Sequence, residues 1–194
     1  MNYVWVFVIG YLLGCFPSAV VFSRLFKNDD VRKYGSGNPG ASNTFRVFGI
    51  GLGGLVMIAD ILKGVLAALI GSWILGLAGM YYGGLMAVVG HNWPITLKFK
   101  GGKGVATSFG MALVIMPVWS IAVALVFAVV LLISRYASLG SLVATICLWV
   151  ITLLQYAGNT TLFLAVTLLT VMIFWRHRTN IDRLLKGSES KLNI

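Results

Sequence analysis

Pro117-Val-Trp-Ser-Ile-Ala-Val-Ala-Leu-Val-Phe-Ala-Val-Val-Leu-Leu-Ile-Ser134 is an apolar run without a single charge, closed by Arg135. A helix needs roughly 17–25 apolar residues to span the hydrocarbon core of a bilayer, where it satisfies its own backbone hydrogen bonds. The run is continuous rather than alternating, so it does not read as a barrel strand. Similar runs fill most of the 194 residues, of which 59% are hydrophobic and only 10% charged. A water-soluble domain of this size could not cover so much apolar surface. The expected fold class is therefore all-α, a polytopic integral membrane protein forming a single membrane-embedded domain over residues 1–194. Met1 to Leu13 carry no positive stretch, so no cleaved signal peptide is expected. Cys15 and Cys147 sit within apolar runs and read as small buried hydrophobes.

The net charge of +10 is informative through its placement. Arg24, Lys27, Arg32, Lys33 and Arg46 form one basic cluster, and Lys98, Lys100 and Lys103 a second. Arg135 stands alone, and Arg176, Arg178, Arg183, Lys186 and Lys191 form the last. Only Lys63 falls inside an apolar stretch. Cytoplasmic loops are enriched in Lys and Arg, so all four clusters are expected on the cytoplasmic side. The apolar stretches then read as seven transmembrane helices, with the N-terminus outside and the C-terminus cytoplasmic: 4–24, 53–76, 78–91, 104–116, a segment after Met116-Pro117, 139–156 and 161–175. The helices 78–91 and 104–116 are short, as helices beside a polar cavity at membrane depth often are. Both abut the second basic loop, which becomes the expected mouth of a site.

Three segments carry residues suited to chemistry. In Gly35-Ser36-Gly37-Asn38-Pro39-Gly40-Ala41-Ser42-Asn43-Thr44-Phe45-Arg46, glycines let the backbone approach a ligand. Asn38-Pro39 reads as a cap and first residue of a short helix ending at Gly49. Helix N-terminal amides with Ser36 and Arg46 make a candidate anion site, with Gly37, Asn38, Gly40 and Asn43 as further binding candidates. In the second segment, Gly90-His91-Asn92-Trp93-Pro94 leads to Lys100-Gly101-Gly102-Lys103-Gly104, and a helix opens at Val105. Glycines before a helix start, flanked by lysines, are the ingredients of a phosphate cradle. Lys103 is followed by Gly104 rather than Ser or Thr, so this is not a nucleotide-hydrolysing P-loop. His91 is a candidate general base, or equally a histidine that binds phosphate or backbone. The third segment holds His177 and Asn180, with Glu189 beyond. Ser138 reads as a helix cap first and a ligand contact second, and Ser141 as a substrate contact. Asp60 and Lys63, three apart inside a span, should pair or face a polar cavity.

Many cations and no acidic cluster argue against Mg²⁺ chemistry, and no metal or cofactor is expected. No Gly-x-Ser-x-Gly elbow is present and neither cysteine is in an activating setting, so covalent catalysis finds no support. The expectation is direct attack on an already activated phosphorylated substrate. A transporter or channel for phosphate or an organic anion would use similar parts. It requires a polar route to the outer face, and the outer turns near Gly76, Met116 and Gly158 carry no charge.

Gly35–Asn43, Gly90–Pro94 with Lys100–Gly104, and His177–Asn180 with Glu189 closely resemble the motifs of the bacterial acyl-phosphate-dependent glycerol-3-phosphate acyltransferase (PlsY) family, in order and spacing over essentially the whole chain. The resemblance implies transfer of a fatty acyl group from acyl phosphate to the 1-hydroxyl of glycerol 3-phosphate, giving lysophosphatidic acid and phosphate in phospholipid biosynthesis. It implies no acyl-CoA, acyl carrier protein or nucleic acid as partner, and membrane lipid as surroundings. It assigns reaction roles to Ser36, Arg46, His177 and Asn180, and binding of glycerol 3-phosphate to Gly101, Gly102, Lys103 and Gly104. Glu189 is implied to serve structural integrity. The implied location is the bacterial inner membrane, with the active site facing the cytoplasm.

Overall fold

The computed structural model describes residues 1–192, all of whose regular structure is helical. They fall into two compact units, Met1–Val114 and a second beginning at Ile115. The first unit opens with α1 (Asn2–Gly14) and α2 (Ser18–Lys27). The expected single helix over 4–24 is thus broken at Cys15–Pro17, because Pro17 lacks an amide proton and disfavours helical backbone at the residue before it. The break exposes carbonyls in apolar surroundings, where an unmet acceptor is costly. Side chains from far along the chain meet them: Thr96 Oγ1 donates to Cys15 O at 2.8 Å, and Lys63 Nζ to Phe16 O at 3.2 Å.

α3 (Ala41–Asn92) bends at Gly49 (φ 83°) and again at Leu75–Gly76, where Gly76 has φ 60°. Both bends fall where glycine placed them in the sequence. The helix start does not. Gly40, in extended backbone, is the cap instead of Asn38, and the helix opens at Ala41. Thr44 shows why: its amide and its hydroxyl both return to Gly40 O, at 3.1 and 3.0 Å, which makes Gly40 the first helical acceptor.

The two arms of α3, residues 50–74 and 77–92, lie antiparallel, with Gly71 backed onto Gly79. α1 packs along the second arm through Gly10 against Gly83 and Gly14 against Ala87. α4 (Val105–Ile115) packs antiparallel on the first arm, with Gly64 on the Thr107 carbonyl and Gly110 on that of Ile61. A methyl group at any of these glycines would overlap a backbone carbonyl. Small residues permit such approach where lipid supplies no hydrophobic drive between helices.

The second unit comprises α5 (Pro117–Ser134), α6 (Ala137–Gln155), α7 (Thr160–Arg176) and α8 (Arg178–Leu185). α5 starts with proline at its first position and stops at Arg135, which is left-handed at φ 62°. Asn159 caps α7 by accepting from Leu162 N at 3.0 Å. Ser138 does not cap α6, contrary to expectation. Tyr136 holds that position, and the Ser138 hydroxyl is drawn to Glu189 instead. The tail returns to this corner, with Leu192 N donating to Arg135 O at 2.8 Å.

Against the seven crossings expected, four stretches among the described residues are long and apolar enough to cross a membrane: Asn2–Lys27, Ala41–Leu97, Pro117–Ser134 and Ala137–Gln155. α7 and α8, bent by 57°, make a fifth if taken as one, and α4 is shorter. Ala41–Leu97 carries two antiparallel arms, since the chain turns back at Gly76.

Candidate active site

In the first unit the loop after α2 is built on its own acids. Asp30 accepts from Arg32 Nε and Nη2 at 2.9 and 2.7 Å and from Arg24 at 2.9 Å. Asp29 accepts from Lys33 at 2.8 Å and from the Tyr34 hydroxyl at 2.6 Å. The Arg32 guanidinium holds the Asp30 carboxyl well below the usual range, and Lys33 with Tyr34 lowers Asp29 to about 2. Three cations of the first basic cluster are thus engaged in shaping the loop.

Asn43 organises the segment around Ser36. Its Oδ1 accepts from Ser36 N at 2.9 Å, and its Nδ2 donates to Val31 O and Tyr34 O at 3.2 and 3.1 Å. Gly35, at φ 58°, lies directly on Asn43 Oδ1, leaving no room for a side chain. Ser36 and Gly37 are exposed, Asn38 is half-buried, and Gly40 is buried behind them. Arg46, one helical turn beyond Asn43, is half-buried.

The second segment folds back on the end of α3. Gly101 N donates to Asn92 O at 3.2 Å and Gly102 N to His91 O at 3.0 Å, closing the excursion through Trp93, Pro94 and Lys100. Glycine is required at both positions. A methyl on Gly101 would overlap the His91 carbonyl, and one on Gly102 would overlap His91 Nε2. Lys100 is exposed and Lys103 half-buried, and Gly104 (φ 83°) delivers the chain into α4 beside the Asn92 amide. Asn92, Thr107 and Ser108 are buried, with side-chain polar atoms that have no hydrogen-bond partner among the described residues. A buried polar group left unmet costs about 1–3 kcal/mol, so these atoms suit a polar ligand at the start of α4.

Beneath this loop lies a buried charge network. Lys63 Nζ is 2.8 Å from Asp60 Oδ1 and 2.6 Å from His91 Nδ1. Ser18 Oγ donates to Asp60 Oδ1 at 2.6 Å, and His91 Nδ1 is 3.5 Å from the same oxygen. Burial at this depth is tolerable for a charge only when it is paired. A small recess opens on the network, with Ser18, Pro39, Lys63, His91, Gly101 and Gly102 in its wall. It brings an edge of the first glycine segment to the second.

In the second unit, Glu189 gathers three donors: Ser138 Oγ and Asn180 Nδ2 at 2.6 Å each, and Arg183 Nε at 2.7 Å. Burial pushes the Glu189 carboxyl up, but Ser138, Arg183 and Asn180 together hold it below its ordinary value. His177, buried at the α7–α8 bend, has Nδ1 2.8 Å from Ile173 O. Ser141 donates back to Ala137 O at 2.7 Å within α6. Sequence reasoning missed Ser18, Thr96, Thr107 and Ser108. Each is a hydroxyl residue in or beside an apolar run, and no spacing marks it. Asn92 lies within the second glycine segment, beside the more conspicuous His91.

The glycerol-3-phosphate acyltransferase family profile matches residues 4–187. A glycerol-3-phosphate acyltransferase of a Thermoanaerobacter species is 40% identical over 95% of this chain and 93% of its own length. One from Finegoldia magna is 37% identical over 99% and 98%. The crystal structure of PlsY, an integral membrane glycerol 3-phosphate acyltransferase, in its glycerol 3-phosphate form superposes with a TM-score of 0.92 at 34% identity, covering 100% of this chain and 96% of that one. Its lysophosphatidic acid form gives 0.89 at 33%, covering 98% and 95%. With sequence and backbone agreeing over nearly the whole chain, it belongs to the glycerol-3-phosphate acyltransferase family, as an all-α, multi-pass integral membrane acyltransferase.

Proposed function

We propose that this acyltransferase draws its acyl group from an acyl phosphate and passes it to the 1-hydroxyl of glycerol 3-phosphate, releasing lysophosphatidic acid and inorganic phosphate. The observation that carries the reading is the stretch Gly101–Gly104. Its first two amides are held to the end of α3, Lys103 lies within it, and it opens α4 beside the unpartnered Asn92 amide. Backbone amides at a helix start, with a fixed cation, suit a phosphate. Ser36, held by the Asn43-braced loop, Arg46 on α3, and His177 and Asn180 are assigned to the reacting groups. Gly37, Asn38, Gly40, Asn43, Lys100 and Ser141 are assigned to shaping or lining the substrate site. Asp60, Lys63 and Glu189 are assigned to its support, and the whole chain works as one catalytic domain.

An acyl phosphate already carries a good leaving group, so the enzyme's share is positioning and charge stabilisation. The glycerol 3-phosphate hydroxyl oxygen bonds to the acyl carbonyl carbon, the bond from that carbon to the phosphate oxygen breaks, and the hydroxyl proton leaves with the departing phosphate. Donors and cations around the site neutralise the two phosphates and the tetrahedral oxyanion. No metal, cofactor, acyl-CoA or acyl carrier protein enters. The clustering of Lys and Arg supports seven crossings with an outer N-terminus and a cytoplasmic C-terminus, and hence a site that faces the cytoplasm at a bacterial inner membrane.

The test is release of inorganic phosphate by the purified protein in lipid nanodiscs, given acyl phosphate and glycerol 3-phosphate. Release is expected only with both substrates, with one lysophosphatidic acid formed per phosphate. An active preparation that uses acyl-CoA equally well would reject the donor assignment.

A further inference from the structure

We propose that Lys63 is a positioning residue that holds His91 in its Nε2–H tautomer, so that His91 serves the glycine-loop recess as a hydrogen-bond donor and not as a general base. The inference rests on reading that recess as part of the glycerol 3-phosphate site.

Lys63 has three protons and three acceptors: Asp60 Oδ1 at 2.8 Å, Phe16 O at 3.2 Å and His91 Nδ1 at 2.6 Å. A lysine paired with a buried carboxylate is protonated, and an ammonium only donates. Two donors cannot face each other at 2.6 Å, so Nδ1 is the acceptor. The longer 3.5 Å separation from Asp60 does not compete for it. A neutral imidazole that accepts at Nδ1 carries its proton at Nε2. That nitrogen lies against Gly102, in the wall of the recess that also holds Ser18, Pro39 and Gly101. Protonated at Nε2, His91 has no lone pair there to remove a proton from a hydroxyl. His177 is arranged the opposite way. A carbonyl only accepts, so the 2.8 Å contact with Ile173 O places a proton on its Nδ1.

The chain has only two histidines, so ¹⁵N-histidine labelling reads both tautomers directly. With neutral rings, one Nε2–H and one Nδ1–H signal are expected, and His91→Gln should remove the former. A spectrum placing the His91 proton on Nδ1 overturns the proposal whatever the substrate. Kinetics supply the second arm. His91→Gln keeps an amide donor near the Nε2 position and should retain turnover within about ten-fold, with the pH profile unchanged. His91→Ala should raise KM for glycerol 3-phosphate by about ten-fold or more. A Gln variant as inactive as Ala, with the acid limb of the profile gone from its residual rate, would restore the base reading.

Asp60→Asn/Lys63→Met removes both charges together and avoids stranding either. It should loosen the His91 tautomer and raise KM with little change in kcat. Unchanged tautomer and KM would reject a positioning role for Lys63. Should glycerol 3-phosphate fail to bind the wild-type protein, the site reading falls, while the spectrum still decides the tautomer.

Discussion

Asp60 and Glu189 are built alike, one in each unit. Each accepts from a serine and a cation and has beside it a residue singled out for chemistry: Ser18, Lys63 and His91 around Asp60, and Ser138, Arg183 and Asn180 around Glu189. Their surroundings differ. Both members of the Asp60–Lys63 pair are buried, at 2% and 6% exposure, whereas Arg183 is 36% exposed beside a Glu189 at 5%. In the first cluster neither charge can turn to water if its partner is lost. In the second the arginine can. The first arrangement sets a tautomer through an obligatory contact, and the second orients the Asn180 amide through contacts that water can partly replace.

Four substitutions would break or sharpen that comparison. The largest effect is expected from Lys63→Met, which strands the Asp60 carboxylate and should cost about 3–5 kcal/mol. Thermal unfolding in detergent measures it, and Asp60→Asn/Lys63→Met should recover most of the loss. If the single variant melts like wild type, the network is not the support described. Next is Gly64→Leu, whose side chain would meet the Thr107 carbonyl. Overpacking of about 3 kcal/mol should part α4 from the Asp60 arm and abolish phosphate release in the same preparation.

Glu189→Gln should cost less, about 2 kcal/mol, because Arg183 retains access to water. Its pH dependence has a definite sign. The folded carboxyl lies below its unfolded value, so its stabilisation is complete above the ordinary carboxylate range and fades as pH falls through the folded value. The stability difference between wild type and Glu189→Gln should therefore shrink on acidification, and a gap that widens in acid would contradict the geometry. Smallest is Arg24→Gln in the first loop. Arg24 is 63% exposed against Asp30, and the change should cost no more than about 1 kcal/mol and vanish in high salt.

Particular residues show where sequence reasoning succeeded and where it stopped. Gly49, Gly76 and Met116-Pro117 marked their breaks because glycine and proline act on their own backbone. Asn38-Pro39 misled because a cap needs the following backbone to turn helical at once, and here two more residues stay outside the helix. The spacing of Asn43 gave no sign that its amide would brace the Ser36 loop, through two donated bonds and one accepted one.

Sequence alone determined that the chain lives in lipid, where its breaks fall and which stretches carry glycine beside cations. Those properties follow from the cost of wetting apolar side chains and from the local freedom of each backbone residue. Only the tertiary structure decided that Ser18 reaches Asp60 across 42 positions, that Lys63 meets His91 across 28, and that Ser138 meets Glu189 across 51. Such partners are chosen by how closely glycine-faced helices pack, and a hydrogen bond to a distant acceptor leaves no trace in the spacing of either residue.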